Sequence, residues 1–98
     1  MNINIDTAGN KTTIYLEGRL DTTTAPALDN AINGLSADIT ELVIDMNKLE
    51  YISSAGLRVL LSTQKKMNKI GYMKITGVCE DIMEIFEMTG FTDILTIE

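Results

Sequence analysis

The sequence predicts an α/β domain in which helices cover a small, mostly parallel sheet of four or five strands. Short apolar runs typical of strands alternate along the chain with longer segments in which apolar residues recur every three or four positions, as in helices. The order is strand, strand, helix, strand, helix, strand, helix and a closing strand. Alternation of this kind builds parallel sheets with helices packed on them.

Length and composition indicate one domain covering residues 1–98. Hydrophobic residues make up 45% of the chain and charged residues 22%, which is typical of a folded domain. No apolar run reaches the roughly 18 residues of a membrane span, and the N-terminus lacks the basic region of a signal peptide. We therefore expect no membrane insertion. Cys79 is the single cysteine and cannot form an internal disulfide, which favours a cytoplasmic location.

The first two strands form a predicted hairpin. Ile3 and Ile5 alternate with polar residues, Ala8-Gly9-Asn10-Lys11 is typical of a tight turn, and the alternation resumes at Ile14 and Leu16. The next segment predicts a helix, because capping residues precede a proline suited to a first helical turn. Its apolar positions are Leu28, Ala31, Ile32 and Leu35.

In the rest of the chain, predicted strands and helices continue to alternate. Leu42-Val43-Ile44 predicts a strand covered on both faces, and a second helix is expected from near Ala55 to Gly71. A strand over 73–78 and a helix that ends at Gly90 follow. Residues 94–97 predict the closing strand.

Polar residues follow two of the predicted strands, where sites of α/β sheets gather. One loop carries Asp21, Thr22, Thr23 and Thr24, and the other carries Tyr51 to Ser54. If the two strands are neighbours, both loops lie at one edge of the sheet. Asp favours turns and caps, and this role is preferred for Asp21 over that of a general base or metal ligand.

Composition argues against most catalytic and nucleic-acid-binding functions. The net charge of −6 is unfavourable for binding phosphate backbones, so we expect no direct nucleic-acid contact. Histidine is absent, which removes Ser-His and Cys-His nucleophiles and His-ligated metals. Neither the G-x-S-x-G nor the P-loop motif is present. We therefore expect a non-enzyme without cofactor or metal. A weak nucleotide-binding protein that uses Asp21 and the serine edge is the alternative.

The two serines before the second helix have two compatible interpretations. Either hydroxyl can cap the helix by accepting a hydrogen bond from a free backbone amide. Either can also accept a phosphoryl group, whose charge the N-terminal end of a helix stabilises. From residue chemistry alone, one of Ser53 and Ser54 can cap while the other is modified.

Three segments together resemble a known family. Gly18-Arg19-Leu20-Asp21 before a helix, then Leu42-Val43-Ile44-Asp45 and Tyr51-Ile52-Ser53-Ser54-Ala55-Gly56-Leu57, resemble the STAS domain in bacterial anti-sigma factor antagonists, over nearly the whole chain. The resemblance implies binding to an anti-sigma factor that is also a serine kinase of GHKL type, which frees the sigma factor. The resemblance further implies that phosphorylation of a serine at the start of the second helix ejects the antagonist and that a PP2C-type phosphatase resets it.

Carried over by position, the resemblance makes Ser54 the phosphoacceptor, with Ser53 as the fallback. Ser53 stands where well-known antagonists have Asp, and Asp21 matches an acidic residue placed beside the modified serine. The alternative is a non-switching STAS subunit of a lipid-transport or stress-sensing complex, in which Ser54 only caps. The residues expected to bind the partner are Asp21, Thr22, Thr23, Ser53, Ser54, Gly56 and Arg58.

Overall fold

A four-stranded sheet carries the fold, and its strands lie side by side in chain order. The computed structural model describes all 98 residues. β1 pairs antiparallel with β2, whereas β2 with β3 and β3 with β4 are parallel, so the predicted α/β class with a mostly parallel sheet is confirmed. The elements are β1 (Asn2–Ala8), β2 (Lys11–Leu20), α1 (Ala25–Asn33), β3 (Glu41–Ile52), α2 (Ser54–Ile70), β4 (Tyr72–Thr76), α3 (Glu80–Thr89) and a 3-10 turn (Phe91–Asp93).

Turn chemistry explains where several elements begin and end. A two-residue turn joins β1 to β2, and its first residue, Gly9, has φ +63°, which favours glycine. Pro26 lies in the first turn of α1, where its missing N–H costs nothing. Gly90 ends α3 in the left-handed conformation and donates its N–H to carbonyls of the last turn, as predicted.

The core lies on one face of the sheet. Both crossovers, β2 to β3 and β3 to β4, step in the same direction, so right-handed connections place α1 and α2 on the same face. Buried side chains of all three helices join one cluster with the inward-facing residues of β2, β3 and β4. Val43 is also buried, but it lies outside this cluster and alternates with the inward-facing Leu42 and Ile44. On that opposite face Tyr15 and Tyr72 are exposed.

The C-terminal residues pair with the sheet at one position only and do not form the full closing strand that the sequence predicts. After the 3-10 turn, residues 94–98 make a single parallel bridge, between Ile75 and Ile97. The Ile75 amide donates to the carbonyl of Thr96 (2.8 Å), and the Glu98 amide donates to the carbonyl of Ile75 (2.9 Å). The C-terminal segment therefore covers part of the outer edge of β4 without forming a strand. None of the helices is long and apolar enough to cross a membrane.

The third strand is much longer than its apolar run. β3 continues to Ile52, so Tyr51 and Ile52 belong to a strand and not to the predicted loop. The pairing with β2 shifts register between Tyr15 and Glu17 and again between Gly18 and Arg19, and then resumes to the end of both strands. Each shift places one extra residue in β3, as in a β-bulge, and the ladder continues beyond it.

Candidate functional site

The two polar loops begin side by side. Because β2 and β3 are parallel neighbours, Leu20 and Ile52 are paired at their carboxyl ends. The amide of Ser53 then donates to the carbonyl of Leu20 at 2.9 Å, which ties the start of one loop to the other strand. The expectation that both loops share one edge of the sheet is confirmed.

Ser53 and Ser54 occupy different positions at the start of α2. Ser53 is the N-cap residue: its backbone is extended (φ −102°, ψ 175°), and its Oγ accepts a hydrogen bond from the Gly56 amide at 3.5 Å. The Leu57 amide donates to its carbonyl at 3.0 Å. Ser54 is the first helical residue and is exposed to solvent. Ser53 is therefore engaged in capping, while the neighbouring Ser54 side chain is accessible.

Asp21 organises the loop between β2 and α1. Its Oδ1 accepts hydrogen bonds from the Thr23 hydroxyl (2.8 Å), the Thr23 amide (3.0 Å) and the Thr24 amide (3.2 Å). The Thr24 hydroxyl accepts from the Asp21 amide and donates to the carbonyl of Arg19, both at 2.8 Å. The bonds from Thr23, with those from Thr24, hold the pKa of Asp21 below its ordinary value. The turn role expected for Asp21 is confirmed, and its carboxylate stays ionised at neutral pH.

Two further residues join this edge without having been predicted as site residues. The Arg19 guanidinium lies over the ring of Tyr51, 4.2 Å from the ring centre, and its Nε is 3.9 Å from Oδ2 of Asp21. Arg19 and Tyr51 are cross-strand partners in the β2–β3 ladder. Both stood in the motifs that carry the family resemblance, but their contact depends on a register that the sequence pattern does not reveal.

Of the remaining predicted site residues, two line a groove at the surface and one is buried beneath the start of α2. Thr22 and Arg58 line opposite walls of a groove of about 380 Å³ between α1 and α2. Gly56, one of the predicted partner-binding residues, is buried. A Cβ on Gly56 would lie 2.7 Å from Cγ of Leu20 and 2.9 Å from Cγ1 of Ile52. Glycine at this position lets the first turn of α2 pack closely on the strand ends and so positions the serines.

Polar and charged side chains gather at the carboxyl edge of β2 and β3, next to the groove between α1 and α2. No group of three or more acidic, cysteine or histidine side chains is placed to hold a metal ion. Cys79 is exposed at the start of α3. The arrangement at the carboxyl edge instead combines an accessible hydroxyl, an ionised carboxylate and two arginines next to a groove.

The family model for the STAS domain matches residues 2–98 of the chain. The chain is 32% identical to the anti-sigma-B factor antagonist of Bacillus subtilis (strain 168), across 99% of this chain and 92% of that protein. It is 29% identical to the anti-sigma-B factor antagonist of Staphylococcus aureus (strain NCTC 8325), across 99% and 94%. The fold matches a crystal structure of an anti-sigma factor antagonist from Mycobacterium paratuberculosis with a TM-score of 0.87 and 26% identity, covering 98% of this chain and 83% of that one.

Proposed function

This chain belongs to the STAS domain family, and we propose that it acts as an anti-sigma factor antagonist switched by phosphorylation of Ser54. Unmodified, it binds an anti-sigma factor that is also a serine kinase of GHKL type, and this binding frees the sigma factor. Phosphorylation by that kinase releases the antagonist, and a PP2C-type phosphatase restores it. In this role the domain works in the cytoplasm as a binding protein and not as an enzyme. The names of its full-length relatives support the antagonist role.

One observation favours Ser54 over Ser53 as the phosphoacceptor. The hydroxyl of Ser53 is occupied by the Gly56 amide, whereas Ser54 is exposed in the first helical position. A kinase can therefore reach Ser54 without disturbing the cap. The free amides at the start of a helix also tolerate an anion, so the modified domain need not refold.

The switch in this proposal is electrostatic. A phosphoryl group changes the net charge from −6 to about −8 and places the new charge at one point of the binding edge. Burying that dianion against an apolar or acidic partner surface costs several kcal/mol, and each ~1.4 kcal/mol is about tenfold in affinity. Asp21 is held in its ionised form beside the strand that leads to Ser54, and it adds repulsion toward an acidic partner.

The proposal is tested with the GHKL-type anti-sigma factor kinase of the same genome. We expect Ser54→Asp to weaken binding by at least about tenfold in isothermal titration calorimetry, since it places a charge in the interface. Ser54→Ala should bind like the wild type and stay bound when ATP is added. Ser53→Ala is the matched control and should still be released by ATP.

The outcomes separate the alternatives. Unchanged affinity of Ser54→Asp, together with ATP-driven release of Ser54→Ala, contradicts the Ser54 switch. Intact mass and peptide sequencing of the protein from its own cells in several growth states then locate any phosphoryl group. A group on Ser53 moves the switch to the fallback residue. No phosphoryl group in any state favours the non-switching STAS subunit.

A further inference from the structure

Arg58 lies four residues after Ser54 in α2. Side chains at this spacing share one face of a helix, with Cβ atoms about 5–6 Å apart. Long side chains in a helix also lean toward its N-terminus and cover the turn before their own. At this spacing the Arg58 guanidinium can reach the first turn of α2, where Ser54 is exposed.

The guanidinium of Arg58 is not engaged by another group. The three ion pairs of the domain join Arg19 with Asp21, Lys48 with Glu17, and Lys74 with Glu98. Arg58 is in none of them and is exposed. It lines the groove between α1 and α2, and the first turn of α2 contains no acidic residue. Arg58 is therefore a free cation one helical turn from the proposed phosphoacceptor.

We propose that Arg58 binds the phosphoryl group of phosphorylated Ser54 and thereby prolongs the released state of the domain. The inference rests on the proposed function and adds to it a group that holds the modification. A guanidinium presents paired N–H donors that match phosphate oxygens, which a lysine at this position would not. Held by Arg58, the phosphoryl group lies against the α1–α2 groove and is less accessible to an attacking water in a phosphatase.

Other charged groups around this site do not replace Arg58. Arg19 is already engaged with Asp21 and with the ring of Tyr51. The carboxylates of Asp21, at the end of β2, and Asp29, across the groove on α1, repel a phosphoryl group. Removing Arg58 therefore removes attraction and leaves repulsion, and this imbalance should raise the pKa at which the phosphate takes up its proton.

The test uses the full chain with phosphoserine installed at position 54 by codon suppression, so that no kinase is needed. The variants are Arg58→Gln and, as control, Lys65→Gln, which removes the same charge from an exposed position of the same helix. Lys65 lies about 16 Å along the helix from Ser54, beyond the roughly 8 Å screening length at physiological salt. The phosphate pKa is measured by ³¹P NMR titration.

We expect Arg58→Gln to raise the phosphate pKa by at least about 0.3 unit, the shift that corresponds to a helical ion pair at this spacing. Lys65→Gln should shift it by less than about 0.1 unit. A broad-specificity protein phosphatase should remove the group about twofold faster from Arg58→Gln, since the same pair energy is lost. Equal phosphate pKa values in the wild type and Arg58→Gln would overturn the proposed contact between Arg58 and the phosphoryl group. Equal rates of dephosphorylation would overturn the claim that Arg58 prolongs the released state.

Failure of the proposed function has a different signature. In that case Ser54 carries no phosphoryl group in cells, or the affinity for the kinase is the same with and without the phosphoryl group. The NMR result on the installed phosphoserine is unaffected in either case. A missing pKa shift, in contrast, leaves the Ser54 switch intact and removes only the role of Arg58.

Discussion

At the level of single residues, the two adjacent serines differ because one backbone position separates them. Ser53 precedes the helix in an extended conformation and caps it, whereas Ser54 already has helical geometry. We expect Ser53→Ala to lower the free energy of unfolding by about 0.5–1 kcal/mol, the low end for a cap because the bond to the Gly56 amide is long. Ser54→Ala should change it by less than about 0.5 kcal/mol. Urea denaturation of both variants measures this, and equal losses would contradict the capping role.

The free energy of unfolding at acid pH should depend on Asp21, in the loop between β2 and α1. Its folded pKa lies below the ordinary 3.8 because the Thr23 and Thr24 groups donate to it. The stabilisation is present above the unfolded pKa and is lost as the pH falls through the lower, folded pKa. Asp21→Asn keeps an oxygen acceptor but cannot ionise. Between about pH 6 and about pH 2, the wild type should lose more unfolding free energy than Asp21→Asn, and equal slopes in denaturation series would contradict this.

At the level of elements, the connection between α2 and β4 depends on a close backbone approach. The sequence pattern predicts a helix end at Gly71, and α2 does end there, but the glycine has φ 172°, which any residue can adopt. What excludes a side chain is the Thr40 carbonyl: a Cβ on Gly71 would lie 1.8 Å from its oxygen. The same carbonyl accepts the Tyr72 amide at 2.9 Å and so fixes the start of β4.

A side chain at position 71 should lower the stability of the domain. We expect Gly71→Ala to destabilise the domain by about 1–3 kcal/mol, because the backbone around Thr40 must move. Gly34→Ala is the matched control at the end of α1, where a Cβ would meet the Asn30 carbonyl at 3.4 Å with φ −84°. It should change stability by less than about 0.5 kcal/mol. Similar thermal midpoints for the two variants would contradict the steric explanation.

Local patterns predicted the order of elements and most helix ends, because Pro26 and Gly90 act through their own backbone preferences. They did not predict the length of β3, since the polar Asn47-Lys48 interrupts its apolar run and its pairing depends on distant β2. For the same reason the contact of Arg19 with Tyr51 was missed. The pairing of the two polar loops at one edge was predicted only conditionally, because strand order is a property of the whole sheet.

At the level of the whole molecule, the sheet separates two surfaces. One face carries the helices and the core, and the opposite face exposes side chains such as Tyr15 and Tyr72. The candidate site lies on neither face but at the carboxyl edge, where the ends of β2 and β3 meet the start of α2. A charge added there changes the local potential of an already acidic domain without entering its core.

The uneven strand lengths have a further consequence for motion. β4 pairs with β3 only as far as Asp45 and Thr76, so the remaining stretch of β3 to Ile52 has β2 as its single strand neighbour. The two register shifts of the β2–β3 ladder fall within this stretch, the first after Asp45 and the second between Leu49 and Tyr51. A two-stranded segment with an interrupted ladder opens at a lower free energy than the four-stranded centre. The carboxyl edge that carries the candidate site can therefore open locally while the central sheet stays closed.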